Sequence, residues 1–255
     1  MNAARVAVIA AVAALGPLCP GLRAQDEGGA GAPAERATRF RIAVDGGALL
    51  GNVRFSQSRT VREFAEDGRL EADYQADTGT ALDAAVQFGV TRRFGVAAAF
   101  TLAKRDDAAS YSATLPHPLY LNQPRTRTGD LAGLAYRESA FHLDLVYSAG
   151  SGSVGFHAFA GASFFSVEAD LIDEVRYSHE YPYDTEQVTV TGVPTVSADD
   201  SPVGFNVGAA LDYRVTRSLG VGAQGRFSRA RVSLGPSVEL DAGGFQLSGG
   251  LRLYF

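Results

Sequence analysis

Gly244-Phe-Gln-Leu-Ser-Gly-Gly-Leu-Arg-Leu-Tyr-Phe255 closes the sequence, and in steps of two it separates into unlike faces. One face carries Phe245, Leu247, Gly249, Leu251, Leu253 and Phe255. The other carries Gln246, Ser248, Gly250, Arg252 and Tyr254. Successive side chains of a β-strand point to opposite sides, so this segment meets an apolar medium on one side and a polar one on the other.

Upstream, the alternation recurs. A first strand aligns Phe40, Ile42, Val44, Gly46, Ala48 and Leu50, and a second Leu82, Ala84, Val86, Phe88 and Val90. The third has Phe94, Val96, Ala98, Phe100 and Leu102, and the fourth Phe141, Leu143, Leu145 and Tyr147. The fifth has Val154, Phe156, Ala158, Ala160, Ala162 and Phe164, and the sixth Val203, Phe205, Val207, Ala209, Leu211 and Tyr213. A seventh has Val221, Ala223, Gly225 and Phe227, which makes the closing segment the eighth. Each comes close to the roughly 9–11 residues that a tilted strand needs to cross the hydrocarbon core of a bilayer. No helical 3.6-residue pattern of any length competes with this one.

The connections are lopsided. Short turns at Thr91-Arg92-Arg93, Gly150–Ser153 and Thr216-Arg217-Ser218 follow strands two, four and six. Long polar stretches, roughly Asn52–Thr78, Arg105–Thr128 and Asp170–Ser201, follow strands one, three and five. Long external loops and short periplasmic turns are the expected asymmetry of an outer-membrane barrel. An even strand count puts both ends of the barrel on the periplasmic side. Two registers resist the pattern. Phe159 and Phe165 fall on the inward face of strand five, which points to a shifted register or a bulge. Arg137 falls on the outward face of strand four, which places that part above the membrane. Eight strands fit best, with ten as the alternative count.

Met1–Arg5 is a short basic segment and Val6–Leu18 an apolar run too short to span a bilayer, so residues 1–24 read as a secretory signal cleaved after Ala24. The residues before Cys19 lack the small side chain usual beside a lipidated cysteine. Cleavage leaves no cysteine, and therefore no disulfide or thiol chemistry. Arg5 and Arg23 also leave, so 21 basic residues face 28 acidic ones, a formal charge of −7 that argues against a nucleic-acid partner. Residues 25–38 read as a flexible periplasmic tail and 39–255 as the barrel. With near-zero mean hydropathy and no long apolar run, membrane residence requires a barrel, because only half of its residues face lipid.

The inward faces collect the charge: Arg41 and Asp45; Asp83 and Gln87; His142 and Asp144; His157; Asn206, Asp212 and Arg214; Gln224 and Arg226; Gln246 and Arg252. An eight-stranded barrel is barely wide enough for its own side chains. The expected arrangement is a polar plug in which Asp45, Asp83, Asp144 and Asp212 are neutralised by Arg214, Arg226 and Arg252. A conducting pore is the alternative.

Signals for chemistry are weak. A nucleophile needs an oriented base, and Ser178-His179 lies in a long loop. Asp106-Asp107 and Asp199-Asp200 could offer carboxylate oxygens to a hard cation, but an EF-hand pattern is missing. No Gly-rich segment precedes a helix as a phosphate loop would. No catalytic residue, cofactor or metal is assigned. The loops are the better prospect. Arg54–Arg62 and Leu70–Asp77 flank a turn signal at Glu66-Asp67-Gly68 and form a hairpin above the membrane. Glu186–Val196 suggests a second hairpin, and Pro116–Leu121 a lid over the mouth.

The chain resembles the small bacterial outer-membrane β-barrels, the group of the OmpA transmembrane domain, OmpX and OmpW. The resemblance covers residues 39–255 and rests on pattern. It implies an all-β fold, an eight-stranded antiparallel up-and-down transmembrane barrel with long extracellular loops. It also implies delivery by periplasmic chaperones and the barrel-assembly machinery, with Phe255, Leu253 and Leu251 as the assembly signal. Trp is absent, so Tyr and Phe alone must build the interfacial girdles. The expected function is a non-enzymatic, monomeric outer-membrane protein with a structural or adhesin-like surface role. It would sit among lipid and lipopolysaccharide, with its loops open to an extracellular ligand. The alternatives are an OmpW-like narrow channel for small or hydrophobic solutes and a lipid A-modifying barrel enzyme, although the His-x-Ser-x-Ala arrangement of the barrel deacylases is missing.

Overall fold

The computed structural model describes residues 40–179, 188–235 and 238–255. The 1–24 signal and 25–38 tail lie outside them. The strands are β1 Phe40–Leu50, β2 Val53–Glu63, β3 Glu66–Ala76, β4 Gly79–Gly89, β5 Phe94–Leu115, β6 Arg125–Ser151, β7 Val154–Ile172, β8 Arg176–His179, β9 Val188–Gly192, β10 Thr195–Asp200, β11 Val203–Arg214, β12 Leu219–Ser233 and β13 Glu239–Tyr254. All pairings are antiparallel.

The ring closes. β1 pairs with β4, β4 with β5, β5 with β6, β6 with β7, β7 with β11, β11 with β12, β12 with β13, and β13 returns to β1. These are the eight membrane strands expected from the sequence, in chain order, so the fold is an eight-stranded antiparallel transmembrane barrel of the outer-membrane type. Closure leaves no strand edge in lipid, where an unpaired backbone group would cost several kcal/mol. An outward belt covers the ring, with Leu82, Phe94, Leu102, Leu145, Val203, Leu211, Phe245 and Leu251 all exposed.

Among the described residues much of the long connections is itself strand. β5 runs up to Leu115 and β6 starts at Arg125, so the wall continues far above the belt. β2 and β3 form the expected hairpin, and β3 pairs with the upper half of β5. Its turn is Phe64-Ala65, both at positive φ (50° and 63°), between the paired Glu63 and Glu66. The expected turn at Glu66-Asp67-Gly68 is therefore two residues too late. Two central residues at positive φ give the twist that a two-residue hairpin needs, and here non-glycine residues adopt it. β10 extends the wall along the top of β7. Glu186 and Gln187 of the second expected hairpin lie outside the described residues, and the rest of Glu186–Val196 does not pair with itself: Val188–Gly192 (β9) pairs back with β8, and Thr195 and Val196 pair with β7.

The two doubtful registers resolve. β6 and β7 pair without a break from Tyr136↔Ala169 to Ser151↔Val154. Phe159 and Phe165 do face inward, and both are buried. Phe159 fits because a Cβ at Gly208 would stand 2.5 Å from its ring. Arg137 points outward opposite Lys104, above the belt. The one bulge in the wall between β5 and β6 lies higher, where the register steps between Asp107 and Ala108 and Gly133 (φ 79°) is the extra residue.

Along each tall strand the faces exchange character. On β7 the outward residues are apolar up to Phe164, then Ser166, Glu168 and Asp170. The inward ones become apolar from Phe165 through Val167, Ala169 and Leu171. On β12 the outward side changes after Phe227 to Arg229 and Arg231, and the inward side to Ala230 and Val232. The upper tier has one apolar core, which includes Phe55, Leu70, Tyr74, Tyr111, Leu134, Tyr136, Val167, Ile172, Val232 and Leu240.

Candidate functional site

Inside the lower tier two polar layers fill the lumen. In the layer nearer the short turns, Arg252 is fully buried. Its Nη1 donates to Asp45 Oδ1 at 2.5 Å and its Nε to Asp212 Oδ1 at 3.0 Å. Asp212 also accepts from Arg41 Nη2 at 3.0 Å and from the Tyr254 hydroxyl at 3.2 Å, and lies 3.2 Å from His157 Nε2. Arg41 donates to Gln87, whose amide donates to Ser148 Oγ, and Ser148 reaches His157 Nδ1 at 2.9 Å.

In the second layer Arg226 Nη1 meets Asp83 Oδ2 at 2.7 Å, while Gln224 donates to Asp83 Oδ1. The Thr101 hydroxyl donates to Asp83 Oδ2 at 2.6 Å. Its single proton is thereby used, so the contact of His142 Nε2 with Thr101 at 3.2 Å makes Nε2 the donor. Nδ1 then accepts from Ser163 at 2.7 Å. Asn206 donates to Asp144 Oδ1 and to Ser163. The Arg226 guanidinium lies 5.2 Å from the centre of the Phe159 ring.

Of the seven residues expected in this network, Asp45, Asp83, Asp212, Arg226 and Arg252 are joined by ion pairs. Asp144 bonds the Asn206 amide instead of a guanidinium. Arg214 sits at the lower rim with its guanidinium 4.5 Å from the Tyr254 ring centre, and the second guanidinium on Asp212 is that of Arg41. Which inward residues meet across the ring depends on the stagger of the strands, which alternation alone does not encode. The lumen cavity between Gln87, Asp144, His157 and Arg226 measures about 30 Å³, room for about one water.

Ser148, His157 and Asp212 form a nucleophile–base–acid chain that sequence reading missed, because its members come from three strands. Asp212 already holds two guanidinium groups, and the adjoining cavity has room for about one water. The Ser178-His179 candidate lies in β8, where His179 Nδ1 is 2.7 Å from Arg125 Nη2. Burial, and then Arg125, hold its imidazole below the usual range. The two acidic pairs are split by the strand period: Asp106 faces out and Asp107 is buried facing in. Asp200 binds the backbone N–H groups of Ser201 and Ser233. Among the described residues no cluster of three potential ligands could hold a metal ion.

A third layer separates the charged lumen from the apolar core. Arg105 donates to the carbonyls of Gly51, Asp77 and Gly243, tying β13 to the ends of β1 and β3. Above it, the Tyr74 hydroxyl donates to Gln57 at 2.6 Å and accepts from Ile172 N at 2.7 Å, and burial pushes its pKa up to about 12. Asp107 lies at the base of this core, and burial pushes its carboxyl up to about 6. At the tip, His117 Nδ1 accepts from the N–H groups of Leu119 and Tyr120, and Leu119–Leu121 is exposed.

Leu251, Leu253 and Phe255 lie outward at the lower rim. Phe255 N donates to Phe40 O at 2.9 Å, and their ring centres are 5.9 Å apart.

No protein-family model and no curated protein matches the chain. Solved structures similar to it include Neisserial surface protein A, at 13% identity over 85% of this chain and 97% of that one, with a TM-score of 0.43. The outer membrane protein OprG from Pseudomonas aeruginosa matches at 12% identity over 86% and 97%, with a TM-score of 0.42. The outer membrane protease OmpT from Escherichia coli matches at 10% identity over 86% and 98%, with a TM-score of 0.44.

Proposed function

We propose that this chain is a non-conducting, non-enzymatic bacterial outer-membrane protein whose barrel holds up a rigid surface tier, and that it serves a structural or adhesin-like role. The observation that carries this reading is the filling of the lower lumen by two charged layers, with an apolar core above them. What meets the outside is then the polar outer face of the upper tier and the exposed Leu119–Leu121 tip. Function commonly resides on such surfaces when a rigid scaffold carries them. Phe255, bonded to β1 and exposed to lipid, supports a role for the last strand in assembly-machinery recognition and ring closure.

Planar-bilayer recording of the purified protein tests the plug. The expected result is no discrete conductance step, and regular steps would refute it. The opening of about 460 Å³ between the β1–β2 connection and upper β13 favours the second reading, a lateral conduit for small or hydrophobic solutes. Arg105 closes its floor. Unequal uptake of an apolar dye by cells expressing the wild type and Arg105→Ala would support the conduit, and equal uptake would dismiss it. Unchanged lipid A mass spectra on overexpression are expected of a non-enzyme.

A further inference from the structure

Two of the short turns are copies of one device. Val90-Thr91-Arg92-Arg93-Phe94 joins β4 to β5, and Val215-Thr216-Arg217-Ser218-Leu219 joins β11 to β12. In each, the N–H groups of the Val and the Thr donate to the carbonyl of the last residue, at 2.8–2.9 Å. In each, the Thr Oγ1 accepts from the N–H of that last residue: Phe94 at 2.9 Å and Leu219 at 3.0 Å. Each is braced by the next strand, with Ser148 N donating to Arg93 O and Tyr254 N to Ser218 O. The backbone under Arg92 and Arg217 is therefore fixed in the same way twice.

In the ring order β1-β4-β5-β6-β7-β11-β12-β13 the two turns stand on opposite sides of the barrel. The flanking residues Val90, Phe94, Val215 and Leu219 are exposed at the bottom of the lipid-facing belt. Directly beneath them Arg92, Arg93 and Arg217 are exposed, and none of the three short turns contains an acidic residue. The outward charges at the other end of the belt are mixed: Arg229 is paired with Asp241 at 2.6 Å, and Arg137 stands opposite Glu168.

We propose that the two Val-Thr-Arg turns are a pair of phospholipid headgroup clamps. Each guanidinium takes the phosphate of an anionic glycerophospholipid of the inner leaflet while the flanking apolar residues lie along its acyl chains. A guanidinium offers a planar fork of donors that matches phosphate, and at the headgroup boundary it is only partly screened. Opposed clamps on a rigid ring fix the depth and tilt of the barrel.

The test uses the full chain in nanodiscs of phosphatidylcholine, with or without one quarter phosphatidylglycerol. Native mass spectrometry counts retained phosphatidylglycerol, and the temperature of the heat-modifiable gel shift reports stability. The wild type is expected to retain about two such lipids and to melt higher in their presence. Arg92→Gln and Arg217→Gln should each lose about one lipid, and the double variant both, with its melting in pure phosphatidylcholine unchanged. Arg62→Gln, far from lipid, should behave as the wild type. Equal retention by wild type and double variant would overturn the proposal. So would an equal loss in Arg62→Gln, which would mean that net charge alone acts. A stabilisation reproduced by inorganic phosphate in phosphatidylcholine would also overturn it, because the turns would then bind the free ion.

Discussion

The lower and upper tiers share five tall strands, β5, β6, β7, β12 and β13, turned inside out between them. Below Leu102, Phe164 and Phe227 the wall is apolar outside and charged within. Above them, from Lys104, Ser166 and Arg229, it is polar or charged outside and becomes apolar within. The backbone ladder runs through this change with one bulge between β5 and β6. What differs is the medium. Lipid gives no hydrophobic reason to bury apolar groups and penalises exposed charge, at roughly 2–4 kcal/mol for a basic residue at the midplane. Water gives the opposite preference, roughly 25 cal/mol for each Å² of apolar surface removed from it. The two tiers therefore have cores of opposite chemistry and should fail in different ways.

The largest effect is expected in the lower tier. Arg252→Ala leaves Asp45 and part of Asp212 buried without their cation, a loss of about 3–5 kcal/mol. Urea unfolding followed by the heat-modifiable gel shift should show it, and an unchanged midpoint would mean that water substitutes for the guanidinium.

In the upper tier, Ile172→Ala removes a fully buried side chain from the apolar core, at about 2–4 kcal/mol. Because the lower ring closes without this core, the variant should lose protease resistance above the membrane while keeping its gel shift. Loss of both together would show that the tiers unfold as one.

The smallest effect concerns Asp107, whose carboxyl burial raises to about 6. A raised acid contributes stability that is complete below its unfolded value near 4 and is lost as pH rises through about 6. Asp107→Asn should therefore stabilise the upper tier by about 1–2 kcal/mol at pH 8 and leave it unchanged at pH 4. A stabilisation independent of pH would contradict that assignment.

The eight membrane strands were legible because lipid imposes one rule on every second residue of each. The lumen acids were legible for the same reason. Their partners were legible in part: Arg226 and Arg252 pair with the acids as expected, while Asp212 also meets Arg41 and Asp144 meets Asn206 through a stagger that only the closed ring reveals. Of the upper tier the β2–β3 hairpin was expected, but the upward continuation of the wall and its apolar core were missed although their signal is present. On the third strand the apolar residues are even-numbered up to Leu102 and odd-numbered from Ala109 through Tyr111, Ala113 and Leu115. On the fifth they change phase between Phe164 and Phe165. A strand that changes phase without a turn has passed from one solvent to another, which also explains the inward Phe165.

Spin labels placed one at a time at outward positions 160, 162, 164, 166, 168 and 170 of β7, in lipid bilayers, test this inversion most directly. Power saturation should show access to oxygen through position 164 and access to a water-soluble nickel reagent from 166 upward. Oxygen access persisting at 168 and 170 would contradict the two-tier account.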